Sequence, residues 1–117
     1  FPCCVNDFFV RDMTKKIPEI ATGSFDHAGS FGAVGMYLTW HDMQITLKEA
    51  ARIVRPGGTI FVTHLIEPWR PQRGSILEPV KMSLWEPFVQ EIGGKDLIVQ
   101  YHAGTVKPWR YFIVFTM

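Results

Sequence analysis

Several residues in this sequence carry side chains whose type and spacing could do chemistry. Asp12 closes the apolar run Phe8-Phe9-Val10. A carboxylate leaving a strand can accept a hydrogen bond from an exocyclic amine while the next backbone amide, that of Met13, meets the ring, although an aspartate there is also a common turn residue. Ser30, Phe31 and Gly32 end a second apolar segment, where small residues let a ligand lie against the backbone; a plain packing turn is the alternative. Met36, Tyr37, Trp40 and His41 follow closely. His41 could act as a general base, while structural histidines are the commoner outcome. Glu67, Trp69, Arg70 and Arg73 could shape an acidic or aromatic pocket, or remain a solvated loop. His64 and His102 have no metal-ligand spacing, and the adjacent Cys3 and Cys4 have no further cysteine or nearby histidine to complete a site, so no metal is expected.

The elements that must position these residues can be read from periodicity. Asp7 to Asp12 suits a short buried strand, and Phe25 to Phe31 a second one, ending in a turn marked by Gly32 and Gly35. The strongest helix pattern is Met43, Leu47, Ala50, Ala51 and Val54, apolar on one face, with Asp42 as the expected N-cap and Arg52 and Arg55 in the last turn. Pro56-Gly57-Gly58 is expected to stop that helix, and Thr59 to Ile66, apolar on both alternating faces, reads as a strand covered from both sides. Strand, helix, turn and strand make a parallel βαβ unit. The Pro-, Arg- and Gly-rich stretch from Glu67 to Lys81 is a long loop of the kind that often serves as a lid or substrate wall. A short helix over Leu84 to Ile92 should follow, with Leu84, Phe88 and Ile92 on one face. Leu97 to His102 and Trp109 to Phe115 are then strands joined by a connection too short for a helical crossover, so the sheet should finish as an antiparallel β-hairpin.

Composition limits the classes available. A chain of 117 residues, 47% of them hydrophobic, is at most one globular domain. Its formal charge of +1 supplies no general field for nucleic acid or anionic lipid. The longest stretch without a formal charge, Ala28 to Trp40, is too short and too rich in glycine for a transmembrane segment. No basic segment followed by an apolar one opens the chain, and with so few cysteines an intracellular, reducing compartment is expected.

Phe25-Asp26-His27-Ala28-Gly29-Ser30-Phe31, followed by Leu47-Lys48-Glu49-Ala50-Ala51-Arg52-Ile53-Val54-Arg55-Pro56-Gly57-Gly58, resembles the Rossmann-like (class I, type 11-like) S-adenosylmethionine-dependent methyltransferases. In that family Ser-Phe-Asp opens the fourth strand, and a helix ending in Arg-Val-Leu-Lys-Pro-Gly-Gly leads into the fifth. Arg11-Asp12-Met13 resembles the acidic segment after the third strand, whose Asp binds the adenine amino group, and Trp109 to Phe115 resembles the antiparallel last strand. The resemblance implies an α/β fold, the C-terminal half of a methyltransferase sheet of order 3-2-1-4-5-7-6. It also implies that residues 1–117 form a partial domain holding strands 3 to 7. Asp12, Met13, Ser30, Phe31 and Gly32 would then touch S-adenosylmethionine. Met36, Tyr37, Trp40, Glu67, Trp69 and Arg70 would face the methyl acceptor, with His41 as a candidate base.

The family's first strand delivers a glycine-rich loop to the cofactor and its second an acid to the ribose. Gly-x-Gly-x-Gly occurs nowhere in this sequence. The resemblance therefore implies that this chain alone is inactive, that its fourth strand is an open apolar edge, and that a missing N-terminal half or neighbouring subunits cover it. Methyl transfer by a longer protein is one expectation. A non-catalytic subunit scaffolding a larger assembly, or a small binding module using the residual crevice, are the others.

Overall fold

The computed structural model describes residues 12–34, 38–65, 82–101 and 110–117. Among these residues four strands and two helices follow in the order β1 (Phe25–Ala33), α1 (Trp40–Ile53), β2 (Val54–Leu65), α2 (Trp85–Glu91), β3 (Lys95–Tyr101) and β4 (Arg110–Thr116), with a short 3-10 turn at Met82–Leu84 ahead of α2. The sheet order is β1-β2-β4-β3. β1 runs parallel to β2, with Ala28 opposite Ile60 and Ser30 opposite Val62, while β4 is antiparallel to both β2 and β3. This is the expected α/β arrangement, a βαβ unit followed by an antiparallel pair. Among the described residues β1 forms one edge and β3 the other. The expected strand over Phe8 to Val10 lies outside the described residues.

Helix α1 starts earlier than its apolar period indicates. The cap is Thr39, not Asp42: the Thr39 side-chain hydroxyl accepts from the Asp42 backbone N–H at 3.2 Å, and Asp42 falls inside the first turn, where a carboxylate still suits the helix dipole. The predicted stop also differs. Helix gives way to strand at Val54, whose ψ of 134° is already extended, so Arg55, Pro56, Gly57 and Gly58 belong to β2. Arg55 is consequently not a last-turn cation but pairs with Asp26 of β1 at 2.7 Å. The register between β1 and β2 slips between Phe25 and His27, where β2 takes up the extra residues. Gly57 has φ of +86°, a left-handed conformation that an L side chain resists, and this lets the strand absorb the slip without leaving the sheet.

The core lies on one face of the sheet. Ile60 and Val62 of β2, with their partners Phe115 and Ile113 of β4, point the same way, and Met43 and Leu47 of α1 and Trp85, Phe88 and Val89 of α2 close over them. Leu47 and Val54 are buried as the sequence indicates, and Ala51 packs against them. The face of α2 is rotated from the expected one: Leu84 is exposed, and Trp85, fully buried, takes its place. Gly93, with φ of +84°, turns the chain into β3. The alternation of Thr59 to Ile66 predicted helices over both faces. Among the described residues both helices cover the Ile60–Val62 face, whereas on the opposite face the Phe61 ring folds over Gly29, occupying the space that any side chain there would need.

Candidate functional site

In a parallel βαβ unit, ligand-facing positions lie where strands end and helices begin. Ser30 lies near that end of β1, half-buried, and its hydroxyl accepts from the Val34 backbone N–H at 3.1 Å, drawing the chain into a turn as the strand finishes. Phe31 and Gly32 continue β1 to Ala33. Trp40 and His41 open α1 at the same end. Trp40 is half-buried and edge-on to Trp85 (ring centroids 5.1 Å apart) and Phe88 (5.3 Å), so its ring bonds the first turn of α1 to α2. His41 is exposed. Met36, Tyr37, Glu67, Trp69, Arg70 and Arg73 lie outside the described residues.

Asp12 makes its described hydrogen bonds within a local turn. Its Oδ1 accepts from the Thr14 backbone N–H at 2.9 Å and from the Thr14 hydroxyl at 2.6 Å, and its carbonyl accepts from the Lys15 N–H at 3.1 Å. The Thr14 hydroxyl and N–H hold the Asp12 carboxyl below the usual carboxylate range, so it stays an ionised acceptor. Met13 beside it is 44% exposed. No hydrogen bond among the described residues joins Asp12 or Met13 to Ser30. An aspartate followed two residues later by threonine is the local signal for such a turn.

The residues after this turn reveal a contact that periodicity alone misses. Glu49 and Arg52 of α1 pair with each other, Arg52 Nε donating to Glu49 Oε2 at 2.9 Å, and together they grip the chain that leads into β1. Ile17 N–H donates to Glu49 Oε1 at 2.8 Å, the Ile17 carbonyl accepts from Arg52 Nη2 at 2.9 Å, and Arg52 Nη1 donates to the Thr22 hydroxyl at 3.1 Å. Gly23 N–H closes the series on the Arg52 carbonyl at 2.9 Å. Beside this contact a groove of about 360 Å³ is lined by Lys48, Ala51, Arg52, Glu91 and Ile92 and crossed by an exposed Lys48–Glu91 pair at 3.8 Å. It runs between the helices, away from the strand ends, and carries no convergent set of polar groups.

This order of strands, a parallel βαβ unit continued by an antiparallel pair, is matched in known proteins. The profile of the methyltransferase-domain family aligns with residues 4–62. The chain belongs to that family. Demethylmenaquinone methyltransferase from Corynebacterium glutamicum is 27% identical over 105 residues, an alignment that takes in 85% of this chain and 44% of that protein. The chain thus spans less than half the length of the curated relatives it matches. Among solved structures, an S-adenosylmethionine-dependent methyltransferase from Archaeoglobus fulgidus superposes with a TM-score of 0.76 at 11% identity, over 97% of this chain and 70% of that one. A putative methyltransferase from Haloferax volcanii, in complex with a methyltransferase activator, gives 0.70 at 19% identity over 93% and 60%. At these identities the likeness is one of fold, the class I methyltransferase fold. No described helix is long and apolar enough to cross a membrane.

The donor set suits the adenine end of S-adenosylmethionine. An ionised, solvent-facing carboxylate is an acceptor for an exocyclic amine, and an exposed thioether side chain beside it can lie on a ring face. The carboxylate and ammonium of the methionine part have no glycine loop in this sequence to receive them.

Proposed function

We propose that the polypeptide containing this chain transfers the methyl group of S-adenosylmethionine, and that residues 1–117 are the C-terminal half of its catalytic domain. The observation that carries this reading is the sheet order β1-β2-β4-β3 with one parallel and two antiparallel pairings. In that reading the Asp12 carboxylate accepts from the adenine amino group and the Met13 side chain rests on the ring. Ser30, Phe31 and Gly32, near the end of β1, lie beneath the ligand. Met36, Tyr37, Trp40, Glu67, Trp69 and Arg70 wall the acceptor. The bound cofactor supplies an electrophilic methyl group on a sulfonium. The chain's own contribution is alignment of the acceptor and exclusion of water, with His41 available to take a proton from a hydroxyl or amine acceptor. The edge that β1 forms among the described residues pairs with an N-terminal half of the same polypeptide, or with a neighbouring subunit.

Calorimetric titration with S-adenosylhomocysteine tests the reading, on the 117-residue chain and on the native polypeptide after its intact mass is measured. Two absent charge-assisted hydrogen bonds at about 1.5–3 kcal/mol each should weaken binding to the short chain by roughly two to four powers of ten relative to the native polypeptide. Micromolar binding by the short chain would overturn the half-domain assignment. A native mass near 13.4 kDa with no binding would overturn methyl transfer and favour a structural subunit.

A further inference from the structure

The Glu49–Arg52 pair does more than its helix requires. Residues three apart on a helix surface can pair to modest effect, and alanine at either position would serve α1 at least as well. Both side chains are instead largely buried, 12% and 21% exposed, and spend their hydrogen bonds on a segment more than twenty-five residues upstream. Both backbone groups of Ile17 are taken by this pair, one by each partner, and Thr22 and Gly23 are held by Arg52. The Asp12–Lys15 turn, by contrast, makes its described hydrogen bonds only within itself. Among the described hydrogen bonds, those of Ile17 are the first after Asp12 and Met13 that join the chain to the helix.

We propose that Glu49 and Arg52 are positioning residues for cofactor recognition: by fixing Ile17 they set where the Asp12 carboxylate stands, and so the preference for a purine bearing an exocyclic amine over one bearing a carbonyl. The proposal rests on the reading of Asp12 as the adenine contact. A keto oxygen in place of the amine would face the carboxylate as a second acceptor, which is repulsive, so the preference reports the placement of that one group. Arginine suits the task because its planar fork reaches Glu49, the Ile17 carbonyl and the Thr22 hydroxyl together; lysine keeps the charge without the fork.

The test uses the native polypeptide and compares dissociation constants for S-adenosylhomocysteine and S-inosylhomocysteine. The wild type should favour the adenosyl compound by about ten- to a hundredfold, the range of one charge-assisted hydrogen bond. Asp12→Ala should abolish that ratio. Arg52→Lys should reduce it several-fold, and the double variant should lose no more than Asp12→Ala alone. Lys48→Ala, on the same helix, should leave it unchanged. If Arg52→Lys fails to fold, Glu49→Gln, which keeps the shape and an acceptor, carries the same expectation. A purely structural role would lower stability while leaving the ratio intact. Loss of the ratio in Asp12→Ala with a wild-type ratio in Arg52→Lys or Glu49→Gln overturns this proposal and leaves the cofactor reading standing. An unchanged ratio in Asp12→Ala overturns both.

Discussion

Replacing Gly58 by alanine isolates the tightest backbone approach in the βαβ unit. The two glycines after Pro56 do different work. Gly57 has φ of +86°, and a Cβ built on it would meet only the Arg55 Nη1 atom, at 3.4 Å. A Cβ on Gly58 would fall 2.3 Å from the Asp26 carbonyl oxygen, 2.5 Å from Val54 Cγ1 and 3.0 Å from the Arg55 carbonyl oxygen. These contacts are far inside van der Waals separation, and two of the three obstacles are backbone. Asp26 is held in β1 against β2, and Val54 is a core residue, 3% exposed, so neither can turn aside as a flexible side chain would. Overpacking of this kind costs about 1–3 kcal/mol, and the rigid surroundings place Gly58→Ala near 3. Gly57→Ala should cost about 1 kcal/mol, the strain of a left-handed residue. Gly93→Ala calibrates that strain, because its φ is +84° with nothing within 4 Å of the added carbon. Urea unfolding at unchanged slope should therefore rank Gly58→Ala lowest in midpoint, with Gly57→Ala and Gly93→Ala together, about 1 M or more above it. Equal midpoints for Gly58→Ala and Gly93→Ala would refute the close approach of β1 to the start of β2.

Two further outcomes follow from the packing and the ion pair. Leu47 is 2% exposed, so Leu47→Asp buries an unpaired charge and should cost several kcal/mol, roughly 3–5; a denaturant melt matching wild type would mean that α1 presents a different face to the sheet. The Arg52 side chain, and after it the Ile17 N–H, hold the Glu49 carboxyl below its usual range despite the opposing effect of burial. A folded-state value below the unfolded one contributes stability that is present above the ordinary Glu value of about 4.3 and is lost as pH falls through the folded value. The stability gap between wild type and Glu49→Gln should accordingly be flat near neutrality and shrink below about pH 4, and a gap that widened on acidification would contradict the pairing.

Much of the fold was legible because its signals are local. The three- and four-residue spacing from Met43 to Val54 located α1, and the short connection after His102 required β3 and β4 to run antiparallel. The errors fall where local signals compete. Thr39 and Asp42 are both good caps, and apolar periodicity favoured the one nearer Met43; the aromatic Trp40 extended the helix by docking on Trp85 and Phe88, a contact between elements that no single-helix pattern contains. Pro-Gly-Gly is a helix stop by composition. Here the chain had already become extended at Val54, and the glycines instead serve the slip in register and the approach of β1.

The candidate site was legible only in its individual residues. Asp12 followed by Thr14 announces a turn, and Ser30 a strand end, but nothing in their types tells where one stands relative to the other. The described hydrogen bonds join the Asp12 segment to α1 through a pair of charges, Glu49 and Arg52, of which periodicity gave a role only to Arg52, as a last-turn cation. The distinguishing fact is that the Ile17 N–H has no strand or helix partner and takes Glu49, while its carbonyl, which already accepts from the Ile20 N–H at 3.1 Å, accepts from Arg52 as well. A charged pair three residues apart on α1 provides both a donor and an acceptor at that place. In this chain the Ile17 segment is continuous with Asp12, so under the proposed reading the helix that packs the core would also govern where that carboxylate stands.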